Sequence, residues 1–261
     1  MTFVRYPPTQ HLEGSRLPPG QRDPRQVPYA AIAGRWIVVE EKLDGTEAGV
    51  GFDGAANIQI QNHGHLVQPG SRESRFDILR QWVTARDADL YSVLEGRYLM
   101  FGEWLYLKKT VFYDELPHFF LEFHLYDRAR QLFLSTAARR RLLANTPIVC
   151  VPVLYEGPAP ARLEDLVSLL AFSKAKSPNW QANLAVEALR AGVDAANAER
   201  TTSLDSGMEG LYIKVEEGDW TVKWLKWVRY EFLRAILDSD THWQHRSELR
   251  NRLKLGTDLF A

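Results

Sequence analysis

Apolar and polar positions alternate over several short stretches of this chain, and each stretch predicts a strand. Arg35 to Glu41, Ala48 to Phe52 and, after the Asp53-Gly54 turn, Asn57 to Gln61 are the first three. Between Ser71 and Leu94 the period changes. Phe76, Leu79, Val83, Leu90 and Leu94 recur at steps of three, four and seven, which predicts one amphipathic helix. Arg97 to Leu105 and Phe119 to Tyr126 read as buried strands, Ala137 to Leu143 as a helix and Ile148 to Leu154 as a strand. The following stretch is mainly helical, with segments near Leu163–Phe172 and Trp180–Ala191. Strands return at Leu211 to Val215 and Trp220 to Lys226, and a last helix near Tyr230 to Leu237 leads into a polar tail. Strand pairs interleaved with helices, at spacings that rarely suit a parallel crossover, predict an α+β fold with mostly antiparallel sheets.

Residues 1–34 break this patterning. They are rich in Pro, Gly and Arg and read as an irregular arm draped over the domain. With 261 residues, 45% hydrophobic and 25% charged, the chain can bury a substantial core. Cys150, the single cysteine, sits among apolar neighbours and reads as a core thiol in a reducing compartment. The N-terminus has no apolar leader and no run is long enough to span a bilayer, so a cytoplasmic protein without a membrane partner is expected. Net charge is −1, without the overall basic footprint of a nucleic-acid binder. Local basic surface is confined to Arg139-Arg140-Arg141 and to Arg246, Arg250, Arg252 and Lys254, which also read as solvated helix faces.

The candidate chemistry begins at Lys42, in Glu40-Glu41-Lys42-Leu43-Asp44-Gly45-Thr46, where a predicted strand gives way to a glycine turn. A lysine held there can reach a nucleotide phosphate. Four later segments follow in order. Gly102-Glu103 places an acid inside an apolar strand, a costly position unless something binds it; a structural salt bridge is the alternative. Phe119 to Asp127 is an aromatic strand that could set a ring against a purine or simply fill the core. Glu209-Gly210-Leu211-Tyr212-Ile213-Lys214 opens a strand with an acid and ends it with a lysine. Lys223-Trp224-Leu225-Lys226 sets basic residues among aromatics on the next strand.

Lys-x-Asp-Gly, Gly-Glu, an aromatic strand, Glu-Gly-Leu-x-Ile-Lys and a final lysine strand resemble the ordered motifs of the covalent nucleotidyltransferases, over residues 36 to about 229. Within that superfamily the chain is most similar to bacterial and phage ATP-dependent RNA ligases. Gly45-Thr46 and the stretch Tyr106 to Phe120 (Lys108, Thr110, Tyr113, Asp114, Leu116, Pro117) carry that closer resemblance. It implies an adenylation domain of two antiparallel sheets flanked by helices, with the nucleotide cleft between them. Its expected bounds are 35–229, with a mainly helical insert near 156–200, an arm at 1–34 and a short helical tail at 230–261 in place of an OB domain.

The resemblance also implies ATP and Mg²⁺ (or Mn²⁺) as cofactors, and RNA with 5′-phosphate and 3′-hydroxyl ends as partner, prepared by a separate end-healing kinase/phosphatase. Lys42 would be the nucleophile, made neutral by desolvation or nearby cations. Asp44 would hold Lys42 or a metal-bound water, and Lys223 and Lys226 would contact the α-phosphate region. Glu209 and Glu103 would serve the metal, Glu103 alternatively a ribose hydroxyl. Phe123 would stack on adenine and Glu41 with its neighbouring backbone would read its edge. Gly45, Thr46 and His63 complete the nucleotide-contacting set; Lys214 lies near the phosphates or is a surface lysine ending a strand. Four departures stand out: His63 where the pattern has arginine, Glu47 for Asn, His124 for Asp, and Trp224 near the first basic place of the last motif. A histidine, largely neutral at pH 7, lacks arginine's fork. The His63, Glu47 and Trp224 changes make an impaired nucleotide- or RNA-binding member of the fold one alternative to RNA ligation; a DNA-end or capping-like nucleotidyltransferase is the other.

Overall fold

The computed structural model describes residues 3–17, 26–70, 73–232 and 248–260. The strands are β1 (Gln10–His11), β2 (Trp36–Lys42), β3 (Thr46–Phe52), β4 (Ile58–Asn62), β5 (Tyr98–Trp104), β6 (Phe120–Asp127), β7 (Leu132–Leu134), β8 (Val153–Pro158), β9 (Gly210–Glu217) and β10 (Trp220–Val228). The helices are α1 (Asp77–Ala85), α2 (Asp87–Leu94), α3 (Thr136–Leu143), α4 (Leu163–Val167), α5 (Trp180–Arg190) and α6 (Ala195–Arg200). All strand pairs are antiparallel except β1 with β10.

The α+β expectation holds, but the strands form one hydrogen-bonded path, β4-β3-β5-β6-β7-β10-β9-β2-β8, rather than two separate sheets. The link is thin: the three-residue β7 meets β6 through Tyr126↔Phe133 and Asp127↔Leu132, and β10 through Trp220↔Leu134 and Thr221↔Phe133. Two halves, β4-β3-β5-β6 and β10-β9-β2-β8 with β1 beside β10, therefore hang on a short bridge. A second crossing lies at 149–153. Val151 N–H donates to the Glu122 carbonyl on β6, whereas from Val153 the chain pairs with β2. The expected strand at Ile148 is thus displaced to Val153–Pro158, because the apolar run is shared between the halves.

Each half packs one face on an apolar core. Val50, Phe52, Ile60 and Met100 pack against Leu79, Trp82, Val83, Leu90 and Leu94 of α1 and α2. In the other half Ile37, Val39, Ile213, Val215 and Leu225 meet Leu12, Val27 and Ile32 of the arm and Leu166 of α4. Side chains alternate across a strand, so these core positions turn Glu40, Lys42, Tyr212, Lys214 and Lys226 to the opposite face. The single helix expected up to Leu94 is broken at Arg86, where φ is −115° and ψ is 16°. Asp87 and Asp89 then lie in the first turn of α2, where carboxylates favour a helix N-terminus.

The helical insert has its own core of Phe112, Trp180, Leu184, Ala188, Ala198 and Leu249. Asp114 anchors it by accepting from Ser177 N–H (2.7 Å) and Asn183 Nδ2 (2.6 Å). The expected C-terminal helix begins at Tyr230, but 233–247, with Arg246, lie outside the described residues. Residues 248–260 are not helical. They return along the loop after β5 through Leu107↔Arg250 and Leu116↔Leu253, with Asn251 Nδ2 donating to the Leu105 carbonyl (2.7 Å).

Candidate active site

Lys42 ends β2 and faces Gly210, the first residue of β9, which brings the amine beside Glu209. Its Nζ lies 2.6 Å from Glu209 Oε1, with side-chain exposures of 23% and 5%. The turn that follows is held from both sides. Asp44 Oδ2 accepts from the backbone N–H of Thr110 (2.7 Å) and Val111 (2.9 Å), and Asp44 N–H donates to Tyr113 Oη (2.9 Å). Gly45 N–H donates to Glu103 Oε1 (2.8 Å). A Cβ at Gly45 would stand 2.7 Å from Leu105 Cδ2 and 2.8 Å from both Glu103 Cγ and the Trp104 carbonyl. Glycine is needed there for close approach, so that β5 can bring Glu103 up to the turn.

Three carboxylates thus surround one amine. Burial pushes Glu209 up to about 7, against the pull of Lys42, and burial likewise pushes Glu103 up to about 7. For Lys42, burial favours the neutral amine, but Glu209, Glu103 and Asp44 outweigh it and hold the proton more tightly than an ordinary lysine does. The expected neutral nucleophile is therefore a protonated amine in this arrangement, because the partners that position it also stabilise its charge.

A cavity of about 360 Å³, in the range of small-ligand sites, opens at Lys42. It is lined by Lys42, Glu41, His63, Glu103, Phe123 and Lys226 of the sequence-derived set, and also by Tyr6, Pro7, Pro8, Thr9, Glu40, Glu47 and Tyr212. Glu40, Tyr212 and Lys226 are successive cross-strand partners on β2, β9 and β10, forming one row on the non-core face. Glu40 is buried, and its Oε2 has no hydrogen-bond partner. Phe123 and Tyr212 stand with ring centroids 6.0 Å apart. Alternation from Lys42 and Gly210 was enough to find Glu40 and Tyr212. The arm could not be found this way, since its approach is set by pairing distant in sequence. Tyr6 Oη lies 2.6 Å from both His124 Nδ1 and Tyr212 Oη, and β1 runs beside Leu225 and Lys226.

Several expected placements need correction. Lys223 shares the core-side face of β10, opposite Val215, whereas Lys226 faces the cavity; an odd spacing along a strand separates the faces. The cavity-side place two residues before Lys226 holds Trp224, packed against Phe133 (centroids 4.9 Å) and Tyr6 (6.0 Å). Lys214 is neither at the surface nor among the cavity-lining residues. Fully buried, it lies 2.8 Å from Glu40 Oε1 and donates to the Phe123 carbonyl, and burial brings its pKa down to about 8. Beside it the Arg139 guanidinium joins Glu122 (2.9 Å) and Glu40 (3.4 Å), so this arginine is a core ion-pair residue rather than RNA-facing surface. Glu41 turns its carboxylate away from the cavity to Ser173 Oγ (2.5 Å), leaving only its backbone for a ligand edge. Gly45, Thr46 and Asp44 shape the turn without lining the cavity. His63 is exposed and 3.5 Å from Glu47. Cys150 is half-buried beside Glu122 and Arg139, and burial pushes its thiol up to about 12.

Among the described residues no group of three or more His, Cys, Asp or Glu is placed to hold a metal by itself. Glu209 Oε2 is buried without a hydrogen-bond partner, however, leaving one carboxylate oxygen uncommitted beside Lys42. No helix among the described residues is long and apolar enough to cross a membrane.

A lysine thus lies between carboxylates and faces an aromatic-walled cavity where the two half-sheets meet. The RNA ligase family model matches residues 35–228, so the chain belongs to the RNA ligase family. Similar solved structures include mutant forms of Naegleria gruberi RNA ligase. One with AMP and Mn has a TM-score of 0.57 at 14% identity, and one with ATP and Mn has 0.56 at 16% identity. Both alignments cover 91% of this chain and 60% of the other. A further ATP- and Mn-bound form has a TM-score of 0.54 at 14% identity, over 80% of this chain and 53% of that one. The chain thus spans between half and three fifths of these proteins' length. No curated protein matches it at a significant level.

Proposed function

We propose that this protein is an ATP-dependent RNA ligase that works through a lysyl-AMP intermediate on Lys42. The observation that carries the reading is the Lys42–Glu209 contact of 2.6 Å at the mouth of a cavity walled by Glu103, Phe123, Tyr212 and Lys226. The ATP, AMP and Mn in the Naegleria structures support the choice of nucleotide and metal class.

In this reading the purine lies in the cleft between the half-sheets, beside Phe123 and Tyr212. The unpartnered Oε2 of Glu40 accepts from its amino edge, the task the sequence suggested for Glu41. Lys42 gives up its proton to water at the cavity mouth, where its side chain is 23% exposed, which leaves Glu209 ionised. The freed amine attacks the α-phosphorus; a P–N bond forms, a P–O bond breaks and pyrophosphate leaves. Lys226 stabilises charge on the α-phosphate. A bound Mg²⁺ or Mn²⁺ would be held by Glu209 and Glu103 together with nucleotide phosphates, the usual Mg²⁺ pattern, and would supply positive charge there. AMP then passes to an RNA 5′-phosphate, and a 3′-hydroxyl displaces it to seal the strand.

Incubation with α-labelled ATP tests the first step: label on the parent and none on Lys42→Ala is expected. Label on Lys42→Ala sinks the nucleophile assignment, and label from GTP instead of ATP points to a capping-like enzyme. Sealing of nicked-duplex and single-stranded RNA then tests the later steps.

A further inference from the structure

The loop after β5 carries two adjacent lysines that the structure treats differently. Lys108 is turned to the helical insert, its Nζ donating to the carbonyls of Thr201 (2.8 Å) and Lys109 (3.0 Å). Lys109 is half-buried and precedes Thr110 and Val111, whose N–H groups are bonded to Asp44 Oδ2 at 2.7 and 2.9 Å. That clamp places Lys109 beside the turn that follows Lys42. The loop cannot drift from it, because Ser203 N–H donates to the Thr110 carbonyl (2.7 Å) and Lys108 N–H to the Leu249 carbonyl (2.8 Å).

The charge pattern around Lys109 agrees with that placement. After burial it is the largest charged influence on Glu103, ahead of Lys42, and it also acts on Glu47, whose other neighbour is His63. Glu103 and Glu47 are cross-strand partners on β5 and β3, so one wall of the cavity presents two partly buried carboxylates with His63 beside them. Toward a substrate carrying several phosphate charges, the cavity's own cations are Lys42, committed to Glu209, and Lys226. His63 is an imidazole, with no permanent charge to add.

We propose that Lys109 contacts a phosphate of the bound substrate, supplying at the Glu47–Glu103 wall the permanent cation that His63 does not. This rests on the ligase reading. The phosphate is that of the nucleotide's triphosphate chain or of the RNA 5′ end, and the two sources separate by reaction step.

The test compares the parent with Lys109→Met, which keeps bulk without charge, and Lys109→Arg, which keeps charge. Three quantities are measured: label uptake across ATP concentrations, sealing of 5′-phosphate RNA by enzyme already adenylated, and urea unfolding. One charge-assisted phosphate contact predicts a loss of about ten- to hundredfold in Lys109→Met, with an unchanged unfolding midpoint. Lys109→Arg should return to within about threefold of the parent, since either cation satisfies a phosphate. A loss in label uptake, seen as a raised half-saturating ATP concentration, identifies the triphosphate chain; a loss confined to sealing identifies the RNA end. A parent that labels and seals while Lys109→Met does both within about twofold overturns the assignment. A parent that takes up no label overturns the ligase reading itself.

Discussion

Substituting Gly45 by alanine probes how tightly the two half-sheets must meet at the active lysine. The added methyl would stand 2.7 Å from Leu105 Cδ2, 2.8 Å from Glu103 Cγ and 2.8 Å from the Trp104 carbonyl. The carbonyl belongs to the central strand β5, paired on both sides with β3 and β6, so it cannot retreat. Overpacking at such a site costs about 1–3 kcal/mol. The displaced Glu103 also loses the N–H of Gly45, a hydrogen bond to a charged group worth about 1.5–3 kcal/mol. Restricting the unfolded chain returns about 0.4–1 kcal/mol, leaving a net loss of roughly 1.5–5.5 kcal/mol.

Tryptophan fluorescence in urea reads this directly, and the midpoint should fall by about 0.5 M or more. Label uptake from ATP should fall with it, since Glu103 is moved relative to Lys42. Gly54→Ala is the control: nothing lies within 4 Å of its added methyl, and its stability should match the parent's. A Gly45→Ala protein within about 0.5 kcal/mol of the parent, labelling at the parental rate, would refute the close-approach argument.

Other outcomes follow from the same geometry. Lys226→Ala should abolish or strongly reduce label uptake, while Lys223→Ala, on the opposite face, should label normally; equal losses in the two would show that the strand faces are misassigned. Lys214→Ala leaves Glu40 without its closest partner and should cost about 3–5 kcal/mol in urea unfolding, the range for breaking a buried ion pair. Tyr6→Phe strips a hydroxyl from His124 and Tyr212, costing about 1–3 kcal/mol and raising the half-saturating ATP concentration; a variant that binds ATP as the parent does would show that the arm is not a working wall. Burial lifts Glu103 from 4.5 to about 7, so the native state binds its proton more tightly than the unfolded chain and this group's destabilising contribution grows as pH rises from 4.5 to 7. Glu103→Gln should therefore gain stability relative to the parent across that window, and a pH-independent difference between the two proteins would contradict the shift.

Much of the site was legible because its parts are local. Lys42, Glu103, Glu209 and Lys226 each sit beside a glycine turn or at a recognisable place on a strand. The misplacements of Glu41 and Lys223 share one physical origin. Sequence identifies a residue type and its strand, but the face is decided by which alternate positions the core claims. Ile37 and Val39 bury one face of β2, so Glu41 must follow them toward Ser173 while Glu40 and Lys42 take the other. The same count puts Lys223 with Leu225 and Val215 rather than with Lys226. Lys214 failed for a different reason: its face was right, but it lies behind Glu40, and the partners that hold it there, Glu40 and the Phe123 carbonyl, come from distant strands. Single-chain pattern also joined α1 to α2, since seven-residue spacing continues across Arg86 whether or not the helix does.

The cavity itself is a product of tertiary closure more than of any one motif. Lys42, Glu209 and Lys226 come from one half-sheet, and Gly45's partner Glu103 and Phe123 come from the other. Among the described residues the halves share a sheet through the two register pairs on each side of β7. Such a bridge resists relative rotation weakly, so other contacts must fix the gap. Three do so from different directions: the 149–153 crossing, which pairs first with β6 and then with β2; the Asp44 clamp on the loop after β5; and the arm. The arm's own span is telling, because Gln61 Nε2 on β4 donates to the Val4 carbonyl (2.7 Å) while Gln10 and His11 pair with β10. Residues 4 to 11 therefore reach from the outermost strand of one half to the innermost strand of the other, with Tyr6, Pro7, Pro8 and Thr9 against the cavity between. Loosening either end should widen the gap that positions Phe123 and Tyr212. Damage to the arm is thus expected to appear first as weakened nucleotide binding, before the fold itself gives way.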